Sequence, residues 1–250
     1  MSKYLHTIYK RRFLPSSLIA MSNKKLEEAV IRPTLYLSEF EKIIYSLNNK
    51  YKNFDFKYPE KVIELLNKEF NKYLVFFNYT GEFCSNSEID KYGNEAFFKS
   101  AYNPEGSLNI FLECYVSIDN IFKDDLIYKF LGEFKQLIGH ELIHRQQQIN
   151  RNFKRSSKNI ISDVDYYSDK MEIMSYAWQY IETLRFYGYT NNDILKYIKN
   201  KNPEYSLEDF DIRNHYYTIF GDSNEFKLFN KYCYDYLKGN LDKNLMKVKI

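Results

Sequence analysis

The chain has 250 residues and a mass of 30.3 kDa, is 44% hydrophobic and 28% charged, and carries only 8 Gly and 5 Pro; a collagen-like, low-complexity or wholly disordered protein is excluded, leaving one large domain or a core with a helical annex. Thirty-six Lys and Arg stand against 33 Asp and Glu, interspersed along the chain for a net charge of +3, so no footprint for nucleic acid is written in the charge. Cys84, Cys114 and Cys233 form no CxxC pair and cannot all be bridged, which predicts inert buried thiols or a reducing compartment, and no apolar run approaches the roughly 20 residues of a membrane span.

In chain order, the first 72 residues read as helical. Ser38 is placed as the N-cap of a segment ending near Asn49, and Pro59 stands at the first turn of a helix reaching about Asn71, with Val62, Leu65, Leu66 and Phe70 spaced as one buried stripe. Lys10, Arg11 and Arg12 precede only a short run broken by Pro15, so no signal peptide is predicted and a cytoplasmic protein is expected. From Tyr73 the texture changes. Tyr73 to Tyr79, Glu95 to Tyr102 and Ser107 to Ser117 are rich in β-branched and aromatic residues, and Asn103-Pro104-Glu105-Gly106 supplies turn chemistry for a hairpin between the last two. A small, mainly antiparallel sheet is predicted there.

Asp124 or Asp125 then opens a long helix running to about Ile149, and another runs from about Ser168 to Phe186. The remainder is helical, with caps at Thr190, Ser206 and Ser223, and Ser206 with Asp209 has the spacing of a capping box. The result is an α+β chain in three parts, 1–72, 73–189 and 190–250. No Gly-, Pro- or Ser-rich linker divides them, so one compact unit is expected.

The long helix contains Gly139-His140-Glu141-Leu142-Ile143-His144, the HExxH pattern of zinc hydrolases. Residues i and i+4 lie one turn apart on the same face, so both imidazoles can reach one ion, while Glu141 is placed to act on water as a general base. On a helical wheel Ile127, Leu131, Phe134, Ile138, Leu142 and Ile149 form an apolar stripe, and His140 and His144 lie nearly opposite it.

A hydrolytic zinc site needs a third protein ligand and one open position. The extension to a histidine after a further Gly is missing, since Arg145, Gln146, Gln147 and Gln148 follow His144 and the only later histidine is His215. Glu172 is the leading candidate: it lies off the stripe Ile173, Ala177, Ile181 and Leu184 of its own helix. Asp163, Asp165, Asp169 and Glu182 compete with it.

These two stretches carry a resemblance. GHELIHRQQ, followed about thirty residues later by YYSDKMEIMSYA, resembles the gluzincin class of zinc metallopeptidases, and looks most like short zincin-like proteins encoded by bacteriophages. The resemblance covers about Glu95 to Tyr187. It implies a zincin-like fold in which the small sheet is followed by the HExxH helix and a ligand-glutamate helix, with His140, His144 and Glu172 as zinc ligands and Glu141 as base. Where well-studied gluzincins often place Asp four residues after the ligand glutamate, this chain has Tyr176, and Asp169 is the substitute considered. The resemblance also implies an edge strand that receives a substrate peptide, for which Asn94, Glu95, Ala96, Phe97 and Phe98 are the candidates. A donor to the developing oxyanion is sought among His215, Tyr216 and Tyr217, or Tyr166 and Tyr167.

The expected function is a zinc-dependent metallopeptidase, in which zinc polarises the scissile carbonyl and Glu141 deprotonates the water and then protonates the leaving amine. Its partner is a protein or peptide substrate rather than nucleic acid. The alternative is a structural or morphogenetic phage protein that retains the fold as a virion component, with the host cytoplasm or the virion as its place.

Overall fold

The computed structural model describes residues 33–80, 97–104, 107–114, 121–124, 126–151, 161–200 and 212–239. Among them, helices α1 (Pro33–Tyr51) and α2 (Pro59–Phe70) lead into strands β1 (Val75–Tyr79), β2 (Phe98–Tyr102) and β3 (Ile110–Cys114). Helices α3 (Ile127–Asn150), α4 (Asp163–Tyr167), α5 (Lys170–Phe186), α6 (Asn191–Lys199), α7 (Ile212–Phe220) and α8 (Asn224–Leu237) complete the fold. The architecture is mixed α+β, mostly helical, around a three-stranded sheet.

The helix α1 is longer than its expected cap allowed. Ser38 sits exposed inside it, because Leu37 and Phe40 are both buried and continue the stripe of Ile44 and Leu47 upstream without a break. Pro59 opens α2 as expected, and Val62, Ile63, Leu66 and Phe70 form its buried face. From that helix Asn67 pairs its amide with the backbone of Phe77, donating to the carbonyl and accepting from the N–H, both at 2.8 Å. The free edge of β1 is thereby occupied.

The strand order is β1-β3-β2, with β2 antiparallel and β1 parallel to β3. The hairpin between β2 and β3 is present. The mainly antiparallel sheet is corrected to a mixed one: β3, the last strand in sequence, inserts between the other two, and β1 meets it in parallel register, Val75 opposite Ile110. A bulge between Phe98 and Ser100 distorts β2, a frequent feature of edge strands.

The sheet packs on α3 through aromatic rings, with Phe77 and Phe134 stacked at 5.9 Å and Phe98 meeting Phe130 at 5.2 Å. The start of α3 differs from expectation. Its N-cap, Leu126, makes no side-chain cap; Asp124 instead accepts from Asn48 and Lys52 of the N-terminal part, and Asp125 lies outside the described residues. The side of α3 opposite the apolar stripe is covered by α5, so His140 is buried as well.

The turns before α5 are tightly capped, by a Ser162–Asp165 capping box on α4 and by Asp169, which accepts from the Met171 N–H at 2.8 Å. Thr190 and Ser223 cap α6 and α8 as expected, while Ser206 and Asp209 lie outside the described residues. The C-terminal helices are joined by Arg213, buried between the rings of Tyr197 and Phe226 and bonded to the carbonyls of Ile198 and Asn200. Cys114 and Cys233 are buried free thiols, and Cys84 lies outside the described residues. No helix among the described residues is long and apolar enough to cross a membrane.

Candidate metal centre

The helices α3 and α5 run side by side in opposite directions, as three contacts along them show. Gly132 faces the ring of Phe186, Gly139 faces the indole of Trp178, and Gln147 bonds to the carbonyl of Met171. Two glycines seven residues apart on α3 let large rings of α5 approach its backbone closely. Between the last two contacts lie His140 and His144 on α3 and Glu172 in the first turn of α5.

Their donor atoms converge. His140 Nε2 and His144 Nε2 are 3.0 Å apart, and Glu172 Oε2 is 3.6 Å from the first and 3.3 Å from the second. Ligands placed 2.0–2.1 Å from a tetrahedral zinc ion are roughly 3.3 Å from one another, so the spacing is that of three corners of a coordination tetrahedron. The buried His-His-Glu group could bind a metal ion. The competing carboxylates lie elsewhere: Asp165 in its capping box, Asp169 as the cap of α5, Glu182 paired with Arg185, and Asp163 exposed in the first turn of α4.

A second layer of side chains surrounds the candidate ligands. His144 Nδ1 lies 3.0 Å from Gln147 Oε1, and the Gln147 amide nitrogen donates to the Met171 carbonyl at 3.2 Å and approaches Met174 Sδ at 3.6 Å. His140 meets the ring edge of Tyr176 at 4.8 Å. Beyond it the hydroxyls of Tyr166 and Tyr167 hydrogen-bond that of Tyr176.

The electrostatics follow from burial and proximity. Burial pulls His144 down, but the adjacent Glu172 carboxylate outweighs it and the histidine ends at about 9. Burial pushes Glu172 up, yet the two histidines outweigh that and hold it well below the usual carboxylate range. Without metal, the site therefore keeps an ionised Glu172 and a proton on His144. Burial pushes Glu141 upward, against the pull of both histidines, which moves a carboxylate toward the range useful to a general base. The Glu141 side chain is buried beside the triad, within reach of the charges of His140, His144 and Glu172.

No known family, curated protein or solved structure matches this chain. The site stands on its geometry alone.

The remaining candidates are placed as follows. His215 is separated from His140 by two rings: it meets Tyr167 at 4.9 Å, Tyr167 meets Tyr176 at 5.4 Å, and Tyr176 meets His140. Tyr216 is wholly buried against Tyr167 and Tyr176, and its hydroxyl has no partner among the described residues. Asn94, Glu95 and Ala96 lie outside the described residues. Phe97 and Phe98 are buried, Phe97 donating to Glu133 at 3.1 Å, so they stand about two turns of α3 before His140. The other end of β2 comes nearer the motif: Tyr102 pairs with Phe111, and Arg145 donates to the Leu108 carbonyl just before β3. Among the described residues β2 pairs on one side only.

In the sequence a glutamine soon after the second histidine stood only as part of the resemblance, with no contact assigned to Gln147, and Tyr176 only as a departure from an expected Asp. Both were reachable from spacing, since Gln147 is i+3 from His144 and Tyr176 is i+4 from Glu172, each on its ligand's own face.

Proposed function

We propose that this chain is a zinc-dependent metallopeptidase of the HExxH…Glu type with a zincin-like core, as its resemblance to gluzincins implies. The observation that carries the proposal is the convergence of His140, His144 and Glu172 at coordination spacing with Glu141 on the same helix turn. Two imidazoles and one carboxylate suit zinc and leave a fourth position open, which distinguishes a hydrolytic site from a closed structural one. Zinc held there would supply a Lewis acid for a carbonyl oxygen and lower the pKa of water.

The protein's own part is then proton handling and orientation. Glu141 takes a proton from the attacking water as its oxygen adds to the carbonyl carbon, and returns it to the nitrogen as the C–N bond breaks. The raised affinity of Glu141 for protons, caused by burial, suits both halves of that transfer. Tyr167 and Tyr216 remain candidates for a donor to the oxyanion, and His215 acts only if Tyr167 moves aside. The edge strand β2 offers backbone groups to an extended peptide, with Ala101 and Tyr102 nearest the motif.

The test is zinc content and cleavage of a generic unfolded protein. Wild type is expected to hold close to one zinc per chain and to cleave. Glu141→Gln should keep the zinc and lose about 100- to 10,000-fold in turnover, the usual worth of a positioned acid–base. A wild type that binds zinc and cleaves nothing would instead favour the structural or morphogenetic phage protein.

A further inference from the structure

The Gln147 amide is buried and held at both ends by groups that fix which way it faces. Its nitrogen points at the Met171 carbonyl and Met174 Sδ, both acceptors only, at 3.2 and 3.6 Å. Its oxygen is therefore turned to His144 Nδ1 at 3.0 Å, and since an amide oxygen only accepts, Nδ1 must carry a hydrogen. With Nδ1 keeping its hydrogen, the nitrogen of His144 that can offer a lone pair to a metal, once its own proton is lost, is Nε2, the atom that faces His140 and Glu172. His140 has no such partner: its Nδ1 is buried and unpaired among the described residues.

We propose that Gln147 is the positioning residue of the metal centre: it fixes the His144 ring with its hydrogen on Nδ1 and ties the first turn of the glutamate helix to the histidine helix. One side chain thus sets a ligand on α3 and, through Met171, the backbone next to the ligand Glu172 on α5. The site is assembled in ligating geometry before metal arrives. This rests on the reading of the triad as a metal site and adds what orients it. Partners of this kind on a ligating histidine typically contribute 10- to 100-fold to metal affinity.

The test uses the full chain, zinc alone as probe, and two variants. Gln147→Met keeps the volume and removes both polar ends; Gln147→Glu keeps an acceptor for His144 and removes the donor to Met171. In the zinc-loaded wild type, ¹⁵N-labelled histidine should show a slowly exchanging Nδ1 proton on His144. Gln147→Met should lose that protection and bind zinc about 10- to 100-fold more weakly in chelator competition, with an unchanged circular dichroism spectrum. Gln147→Glu should restore the protected proton and part of the affinity. Equal zinc affinity in wild type and Gln147→Met overturns the proposal, and so does a wild-type spectrum without the protected His144 proton, which needs no variant to fold. A wild type that takes up no zinc removes the metal reading and this proposal together, and is distinct from failure of the proposal alone.

Discussion

Gly139 and Trp178 touch where α3 and α5 run side by side, with the indole lying where a Cβ on residue 139 would stand, its Cδ1 only 2.8 Å from that position. Gly139 immediately precedes the first metal-ligating candidate, so the same contact sets the distance between the two helices that supply the triad. Gly139→Ala must push the helices apart or turn the indole. Overpacking of this kind costs about 1–3 kcal/mol, against roughly 1 kcal/mol gained from helix propensity. The expected outcome is a net loss of stability in urea unfolding, together with weaker zinc binding because Glu172 moves with α5. Unchanged zinc affinity would show that the crossing does not govern the site.

Zinc binding should release a proton. His144, held at about 9 by Glu172 against the pull of burial, is protonated at pH 7 and must give up that proton to ligate. Apparent zinc affinity is expected to rise close to tenfold per pH unit up to about pH 9 and then level off. For the metal-free chain the sign is the reverse: a raised histidine contributes stability that is complete below its ordinary value near 6.5 and is lost as pH rises through 9. Calorimetry in buffers of different ionisation enthalpy counts the proton, and a zinc affinity flat from pH 7 to 9 would contradict the assignment.

Glu133 should make a second pH-dependent contribution, away from the candidate metal centre. Burial pushes its carboxyl up to about 7, although the N–H groups of Phe97 and Phe98 and the charge of Lys129 pull it down. Because the folded value lies above the unfolded one, its contribution to stability is complete below about pH 4.5 and is lost as pH rises through about 7. Glu133→Gln keeps an acceptor for Phe97 and abolishes the titration. The variant should gain on wild type between pH 5 and 8, by a difference on the order of 3 kcal/mol. Parallel stability curves across that window would remove Glu133 from the account.

Arg145 follows the second histidine directly but turns to the other side of α3. It is buried, donates to the Tyr73 carbonyl at 2.7 Å, lies over the Tyr36 ring, and has no carboxylate partner among the described residues. Arg145→Met is expected to cost about 1–3 kcal/mol of stability through the unpaired carbonyl and the lost contact, while zinc affinity changes little. That is the opposite profile to Gln147→Met. A large loss of metal with intact stability would mean that Arg145 serves the site instead.

What could be read from the sequence was local. The i, i+4 pair of His140 and His144 requires only a helix, and the apolar stripe supplies one; Pro59, Thr190 and Ser223 act within their own first turns; Asn103-Pro104 announces a reversal of the chain. Glu172 could be nominated because its helix has a stripe that excludes it. Other features needed the folded chain. Ser38 lost its cap position to Leu37 and Phe40, whose burial against the core outweighed a capping preference of about 1 kcal/mol. The insertion of β3 between β1 and β2 is a pairing across sequence-distant backbone, on which a strand's own residues are silent. The bond from Gln147 to the Met171 carbonyl and the contact of Tyr176 with His140 exist only where α3 and α5 meet. Periodicity fixes the face of a helix on which a side chain lies, but the group it touches is chosen by the neighbouring element, and here that choice was made by rings of α5 seated on Gly132 and Gly139.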